Sequence, residues 1–577
     1  MSASFSRALP FGAAYLGNGR TRFRLWAPGQ NSVGVEIDRH VPRPMAGDTD
    51  GWFELETPCP PGASYVYRLG SGLSVPDPAS RAQADDVHGP SLVIDPASFR
   101  WQHSDWSGRP WHEASIYELH VGACGGFAGV RADLDRLSRL GVTALELMPV
   151  NDFPGQRNWG YDGVLPFAPD KAYGTPDELK ALVDAAHQRQ LMVYLDVVYN
   201  HFGPDGNYLG TYAPGFFRND IATPWGAAID FRQEPVRRYF IENALYWLME
   251  YRFDGLRFDA VHAIGDSAFL DEMAAEIRRT VEKGRHVHLM LENDGNDAEH
   301  LRTGFDAQWN DDAHHVLHVL LTGESDGYYA DYADHPGQLL LRCVTEGFAY
   351  QGEASRHRKG KRRGTSTAGL PPTAFILFLQ NHDQIGNRPL GDRLTTLAKP
   401  PALKAATVLQ LLSPSIPLLF MGEEEQSHTP FQFFTDHHGE LAKAVREGRR
   451  REFADFVAFR GEEVPDPNAL ETFEHSRPSL DGREGLHQEL LTLRRRHIVP
   501  RLPGAQAMGG DVVGLAAIIA RWRMGDGAVL TIATNLAADD LRMPAQAGVP
   551  LFATHPDSFA RGALPAFSTS VLLATPR

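Results

Sequence analysis

Hydrophobic residues change their spacing along the chain, and the first change separates an N-terminal part from the rest. Within the first hundred residues, short β-prone runs are separated by Gly, Pro, Asn and Asp, a pattern typical of strands joined by turns. These runs cover residues 21–27, 32–37, 52–55 and 64–69. The pattern predicts a small N-terminal β-sandwich over residues 1–100.

Apolar runs alternate with helical patterns from about residue 113 onward. Several runs are almost continuously apolar, as strands buried on both faces of a parallel sheet are. The eight candidate strands lie at residues 116–121, 144–149, 192–198, 255–259, 287–292, 305–309, 375–380 and 416–421. This alternation predicts a (β/α)8 TIM barrel with inserted loops over residues 101–500. A doubly wound open sheet is the alternative, but residues 122–130, after the first strand, lack the GxGxxG turn typical of that fold.

One helix has a complete start signal. Thr175 is a candidate N-cap, Pro176 occupies the first helical position and Glu178 stands where a capping-box partner belongs. Two more helices are predicted over residues 235–251 and 267–281.

Strand-like runs return after a helical segment at residues 486–495. They cover residues 512–522, 528–535 and 570–573. We therefore predict a C-terminal β-sandwich domain over residues 501–577, which makes the protein a multidomain α/β plus β chain.

Charge and cysteine content narrow the function classes. Among 577 residues, 56 basic and 72 acidic side chains give a net charge of −16, which disfavours binding to nucleic acid or to an anionic membrane. Three cysteines without CxxC spacing predict free thiols in a reducing compartment. The first 20 residues contain no apolar leader, and no run of about 18 apolar residues occurs anywhere. We expect a cytoplasmic monomer.

Polar residues gather where four of the candidate barrel strands end, the edge at which barrel enzymes carry their catalytic groups. The third strand in chain order ends with Asp196 and His201, and the fourth with Arg257 and Asp259. The fifth ends at Glu292, and the seventh ends with His382 and Asp383.

Two of these carboxyl groups suit complementary roles. Arg257 and Asp259 are two positions apart on one strand and point to the same face, so the guanidinium is expected to keep Asp259 ionised, as a nucleophile requires. Glu292 follows Met290 and Leu291, an apolar setting expected to raise its pKa and hold a proton, as a general acid requires. One ionised and one protonated carboxyl group predict glycoside cleavage through a covalent sugar–enzyme intermediate.

Neighbouring residues suit sugar binding. We expect Asp383 to hold sugar hydroxyls and the distorted ring, and His201 and His382 to donate hydrogen bonds to the same sugar. Tyr161 is a candidate stacking platform, with core packing as the alternative. Asp196 either serves the site by orienting the arginine or is an ordinary turn residue.

Two other polar clusters are expected to have structural rather than functional roles. A metal site at residues 311–315 is rejected, because the adjacent Asp-Asp and His-His pairs lack same-face spacing. The basic run at residues 356–363 is expected to be a solvated loop.

The four strand ends resemble the four short sequence regions of the α-amylase family of glycoside hydrolases. They read DVVYNH, GLRFDAVH, a glutamate after a strand, and NHD, in that order. The resemblance implies a barrel with a C-terminal β-domain and retaining cleavage of α-glucosidic bonds. It implies Asp259 as nucleophile, Glu292 as acid/base and Asp383 as transition-state stabiliser. It also implies that His262 lies near the leaving-group side and that the sugar subsite before the cleaved bond is lined by Tyr161, His201, Arg257 and His382.

Five further segments resemble a subfamily of trehalose-releasing hydrolases. They are residues 146–154, 223–228, 306–312, 434–437 and 441–452. The resemblance implies that the substrate is maltooligosyltrehalose, an α-1,4-glucan, and that the α-1,4 bond next to its terminal trehalose unit is hydrolysed. No cofactor is expected, and because the calcium ligands of some amylases are not clearly reproduced, no required metal is predicted. Residues 121–127 depart from the subfamily pattern, being shorter than expected.

Two other functions remain alternatives. A glycan-branching α-1,4/α-1,6 glucosyltransferase uses the same carboxyl groups but passes the sugar to a hydroxyl group; the fourth region, residues 381–387, disfavours it. A non-catalytic glucan-binding barrel is disfavoured because all three carboxylates are present.

Overall fold

Eight parallel strands form a closed barrel in the computed structural model, which describes residues 3–223, 226–454, 464–479, 485–544, 546–555 and 562–576. The barrel strands, in order around the barrel, are Ile116–Leu119, Ala144–Leu147, Met192–Val197, Gly255–Phe258, His288–Leu291, Ala307–Trp309, Phe375–Leu377 and Ile416–Phe420. Each lies inside a predicted run and pairs with its neighbour in parallel register, so the predicted (β/α)8 barrel is confirmed and the doubly wound sheet is excluded.

Alternate residues of the strands fill the barrel interior in layers. The lower layers are apolar and include Ile116, Ala144 and Tyr194. Two positions further along the same strands stand the buried carboxyl groups Glu118, Glu146 and Asp196. The interior therefore changes from apolar to charged towards the carboxyl ends of the strands, where the candidate site lies.

Helices cover the outside of the barrel with their apolar faces. The longer ones are Gly126–Leu140, Pro176–Gln188, Glu234–Met249, Ser267–Thr280, Asp311–Thr322, Pro336–Glu346 and Pro400–Leu412. A further long helix, Gly439–Ala454, has no buried side chain over residues 439–452. The predicted start of the second is confirmed: Thr175 and Glu178 form a reciprocal capping box, with Pro176 in the first turn. No helix among the described residues is long and apolar enough to cross a membrane.

The N-terminal segment forms two facing antiparallel sheets, so the predicted β-sandwich is confirmed. The main strands are Gly12–Gly17, Arg20–Trp26, Val33–Ile37, Trp52–Pro58 and Ser64–Leu69. The first of these was not predicted; its hairpin turns at Asn18 and Gly19, which both have positive φ (51° and 69°) as a type I′ turn requires. The sandwich packs on the barrel through Phe11, whose ring lies 5.5 Å from that of Tyr239.

The C-terminal segment forms a five-stranded antiparallel sheet with a two-stranded one beside it. The five strands are Gln506–Gly514, Ala517–Arg523, Val529–Asn535, Val549–Ala553 and Ser568–Ala574. The single strand predicted over residues 512–522 is wrong, because the chain reverses between Gly514 and Ala517 to form a hairpin. The three cysteines are free thiols.

A buried arginine joins the barrel to the segment that leads into the C-terminal sheet. Arg494 is 1% exposed and donates to the carbonyl oxygens of Leu411 (3.1 Å), Ser413 (2.5 Å) and Ser415 (2.6 Å). No carboxylate faces it among the described residues, and burial lowers its pKa to about 9.

Arg494→Met keeps the length of the side chain but leaves these carbonyl groups without their charged donor. We expect unfolding free energy to fall by about 2–4 kcal/mol, because buried acceptors that lose a donor are costly. The exposed neighbour Arg495 provides the control, because Arg495→Met is expected to change the free energy of unfolding by less than about 0.5 kcal/mol. Urea titration of both variants measures the difference, and equal midpoints would contradict the assignment.

Candidate active site

Three carboxyl groups converge on the guanidinium of Arg257 at the carboxyl ends of the barrel strands. Arg257 is fully buried, and its Nη1 donates to Asp196 at 2.5 Å and to Asp259 at 2.9 Å. Its Nη2 donates to Glu292 at 2.7 Å. The guanidinium lies 4.2 Å from the ring centroid of Trp309, which covers its face. Asp259 and Glu292, predicted separately from two strands, therefore share one cation.

The charge states of this pair differ from those predicted. Burial and the charge of Glu292 raise the pKa of Asp259 well above its usual value, despite Arg257. Burial also acts to raise the pKa of Glu292, but Arg257 and the N–H of Ala260, which donates to Oε2 at 2.9 Å, lower it overall. The predicted rise for Glu292 is therefore wrong in the substrate-free site. The reason is geometric: Met290 and Leu291 pack into separate cores on opposite faces of the strand, while the carboxyl group of Glu292 turns towards the arginine.

A strained turn follows Asp259. Ala260 has φ 40° and ψ 46°, a left-handed conformation that a residue with a side chain rarely adopts. In this conformation its N–H reaches Glu292, and the following turn Val261–Ala263 leaves His262 exposed. The Nδ1 atom of His262 accepts a hydrogen bond from the N–H of Asp294 at 3.3 Å.

Tyr161 links two parts of the site through its hydroxyl group. The hydroxyl donates to Asp196 at 2.6 Å and lies 2.8 Å from Nε2 of His382. Its ring is stacked on that of His382 with centroids 5.1 Å apart. Nε2 of His201 lies 3.0 Å from the carbonyl oxygen of Tyr161. The structure thus brings Tyr161, His201 and His382 together, and it shows Asp196 orienting both Arg257 and Tyr161.

His382 is held by a carboxyl group that the sequence reasoning missed. Its Nδ1 lies 2.5 Å from Oε1 of Glu118, which sits inside the first barrel strand. Burial lowers the pKa of His382, but the charges of Asp383 and Glu118 outweigh it and raise the pKa to about 9. Asp383 accepts from Asn387 at 3.1 Å, and Asn381 caps this helical turn. A glutamate inside a buried apolar run was the signal that could have found Glu118.

Glu146 is a second buried carboxyl group missed from the sequence. It stands directly beside Glu118 in the barrel register, and neither of its oxygens has a hydrogen-bond partner in the described structure. Burial and the charge of Glu118 raise its pKa well above the usual value. We infer that Glu146 is a neutral carboxylic acid in the barrel interior, beside Glu118.

The residues rejected as metal ligands diverge in the structure. Asp312 bonds to Arg363 at 2.5 Å, whereas Nδ1 of His314 lies 2.6 Å from the carbonyl oxygen of Leu379. Among the described residues, no group of three or more His, Cys, Asp or Glu side chains could hold a metal ion. The expectation of a solvated loop over the basic run is wrong for Arg363, which is buried against Asp312 because that carboxyl group needs a counterion.

Two family models match the chain. Residues 93–212 match the α-amylase catalytic domain, and residues 505–573 match DUF3459, a domain of unknown function. Of the segments that resemble trehalose-releasing hydrolases, Pro224 and Trp225 lie outside the described residues.

Known proteins match large parts of this chain. Malto-oligosyltrehalose trehalohydrolase of Deinococcus radiodurans is 43% identical over 498 residues, 83% of this chain and 82% of that protein. A crystal structure described as a putative alpha amylase from Salmonella typhimurium superimposes with a TM-score of 0.93 at 46% identity, covering 99% of this chain and 100% of that one. The 1,4-alpha-glucan branching enzyme GlgB of Photobacterium profundum is 35% identical over 274 residues, 42% of this chain and 38% of that protein.

Proposed function

The chain belongs to the malto-oligosyltrehalose trehalohydrolase family of glycoside hydrolases, and on that premise we propose that it hydrolyses the α-1,4 bond next to the terminal trehalose unit of maltooligosyltrehalose, releasing trehalose. One observation carries the catalytic part of the proposal. Asp259 and Glu292 share the guanidinium of Arg257 at the open end of the barrel, the pair of carboxyl groups that retaining glycosidases use.

The first step forms a bond between Asp259 and the sugar. A carboxylate oxygen of Asp259 attacks the anomeric carbon as the bond to the leaving oxygen breaks, and Glu292 gives its proton to that oxygen. In the substrate-free site the pKa of Asp259 is raised by burial and that of Glu292 is lowered by Arg257, the reverse of what this step needs. A sugar ring that displaces Glu292 from Arg257 reverses this balance, because the arginine then still stabilises the carboxylate of Asp259, beside Asp196, but no longer that of Glu292, which takes up a proton.

The second step releases the glucan. Glu292, now a carboxylate, removes a proton from a water molecule, and the oxygen of that water replaces Asp259 at the anomeric carbon. Two displacements at one carbon retain its configuration. For this mechanism we expect the two carboxyl groups to lie about 5–5.5 Å apart in the substrate complex.

The remaining residues bind the sugar before the cleaved bond. Tyr161 offers its ring as a platform, since the hydroxyl group is fixed by Asp196 and His382. His382, His201 and Asp383 are proposed to bond to hydroxyl groups of the same sugar. His262 is exposed, its charge acts on Glu292, and it is proposed to face the leaving group.

A change at Glu118 tests the role of His382 as a charged donor. The pKa of His382 is raised from the usual value of 6.5 to about 9 in the folded protein. The contribution of the protonated ring to folding stability is therefore fully present below pH 6.5 and is lost as the pH rises through 9. Glu118→Gln removes the neighbouring charge, so we expect the alkaline limb of the kcat/KM profile to move down by about 1–3 pH units. Glu146→Gln is the matched control, because a neutral acid replaced by an amide leaves that limb in place. An unmoved limb in Glu118→Gln would exclude this role.

Product analysis tests the proposed function itself. Purified protein is incubated with maltotriosyltrehalose, and the products are separated by chromatography. We expect trehalose and maltotriose in equal amounts. New α-1,6 branches without trehalose would contradict the proposal in favour of the branching alternative, whose relative matches less than half of this chain. No glucan breakdown would favour the non-catalytic barrel.

We also propose that the protein is a cytoplasmic monomer acting in trehalose biosynthesis. Three free thiols suit a reducing compartment, and a net charge of −16 suits a neutral glucan better than nucleic acid or a membrane. Light scattering of the purified protein tests the oligomeric state, for which a dimer mass is the contradicting result.

A further inference from the structure

One aspartate at the open end of the barrel faces the site from the side opposite Tyr161. Asp311 is the first residue of the helix Asp311–Thr322, directly beyond the sixth barrel strand. Tyr161 lies in the loop after the second barrel strand, and the second and sixth strands stand opposite each other in a closed eight-stranded barrel. Burial and the charge of Glu292 raise the pKa of the Asp311 carboxyl group well above its usual value, which agrees with a position near the catalytic carboxyl groups.

The carboxyl group of Asp311 has no hydrogen-bond or ion-pair partner among the described residues, although it is partly buried. Its neighbour Asp312 is the contrast, since it is fully buried and bonded to Arg363, Tyr332 and Asn296. The first turn of a helix favours an acidic residue, which accounts for a carboxyl group here but not for its position among other carboxyl groups. Asp312 therefore anchors the fold, whereas Asp311 is available to a ligand.

An exposed aromatic ring stands beside this aspartate. Tyr328 is 40% exposed, and its ring centroid lies 4.8 Å from that of His315. His315 follows Asp311 by one helical turn, so both project from the same side of the helix. Burial raises the pKa of the Tyr328 hydroxyl, and the charges of Asp383 and Asp311 act in the same direction, which agrees with this placement.

A carboxyl group next to an exposed aromatic ring is a combination that suits the binding of a sugar. Hydroxyl groups of a sugar need polar partners, and its C–H faces pack on aromatic rings. We propose that Asp311 and Tyr328 form the leaving-group side of the site, where Asp311 hydrogen-bonds to hydroxyl groups of the departing trehalose unit and the Tyr328 ring packs against it. This inference rests on the proposed function and names residues that select its leaving group.

Two variants and two substrates test the inference. Asp311→Asn and Tyr328→Ala are assayed on maltotriosyltrehalose, whose leaving group is trehalose, and on 4-nitrophenyl α-maltotrioside, whose leaving group is not a sugar. We expect kcat/KM to fall by about 10–100-fold on the first substrate. On the second substrate the factor of the fall is expected to be at least about tenfold smaller, since the lost contacts reach only a sugar leaving group. Inhibition by added trehalose is expected to weaken by a similar factor.

A loss of folding is separated from a loss of binding by a control. Asp334→Asn makes the same chemical change at an exposed position, where the carboxyl group pairs with the exposed Arg356. A merely structural role of Asp311 would lower the midpoint of thermal unfolding and reduce both activities equally. If wild-type protein releases trehalose, equal losses of kcat/KM on the two substrates would overturn the inference. So would a ratio of the two losses that is the same in Asp311→Asn and in Asp334→Asn. Wild-type protein that releases no trehalose would instead refute the proposed function on which the inference rests.

Discussion

Asp259→Asn is expected to lower kcat/KM for maltotriosyltrehalose by at least about 10³-fold, the largest effect of any single change in this chain. An amide has the shape of the carboxyl group and can still contact Arg257, which donates to the present side chain at 2.9 Å. It cannot, however, serve as the anionic nucleophile that forms the sugar–enzyme bond. The loss is therefore chemical, and it is expected in kcat more than in KM.

Stability separates this loss from misfolding. Burial raises the pKa of Asp259, so the carboxylate is a group that folding disfavours, and its replacement by an amide is expected to leave the thermal midpoint unchanged or higher. Calorimetry of wild type, Asp259→Asn and the exposed control Asp334→Asn measures this. Near-normal turnover in Asp259→Asn would remove the residue from the nucleophile role, and a collapsed midpoint would show a structural one.

Glu292→Gln is expected to lower kcat/KM for the same substrate by about 10²–10⁴-fold, the usual contribution of a general acid. The effect depends on the leaving group. Trehalose departs as an alkoxide unless it is protonated, whereas 4-nitrophenolate departs without a proton. The loss in the bond-breaking step should therefore be much smaller for 4-nitrophenyl α-maltotrioside.

Pre-steady-state kinetics distinguishes the two steps in this variant. With the aryl substrate, the first step stays fast while the second lacks its base, so a burst of 4-nitrophenol followed by slow turnover is expected. Wild-type protein under the same conditions provides the comparison. Equal losses on both substrates with no burst would contradict an acid/base role for Glu292.

The barrel was predictable because its strands are almost continuously apolar and end at polar residues. Both signals are local, and they located the residues of all eight strands and the groups at their ends. The N-terminal hairpin at Asn18 and Gly19 carried an equally local signal, the Asn-Gly pair, which the reading of the first strand missed.

Charge states were not predictable from the same patterns. The pKa of Glu292 depends on the direction in which Arg257 points and on the N–H of Ala260, and neither follows from the apolar neighbours in sequence. The pairing of Glu118 with His382 was not predictable for a related reason, since the two residues are 264 positions apart along the chain. The hydrophobic pattern thus sets the scaffold, whereas tertiary geometry sets the electrostatics of the site.

A single proton NMR time course tests the central claim most directly. Wild-type protein acts on maltotriosyltrehalose, and anomeric signals are followed before the released sugar equilibrates. Retaining hydrolysis predicts that the signal of free trehalose grows together with that of a new reducing end in the α configuration. A new reducing end in the β configuration, or glucan shortening without free trehalose, would contradict the account.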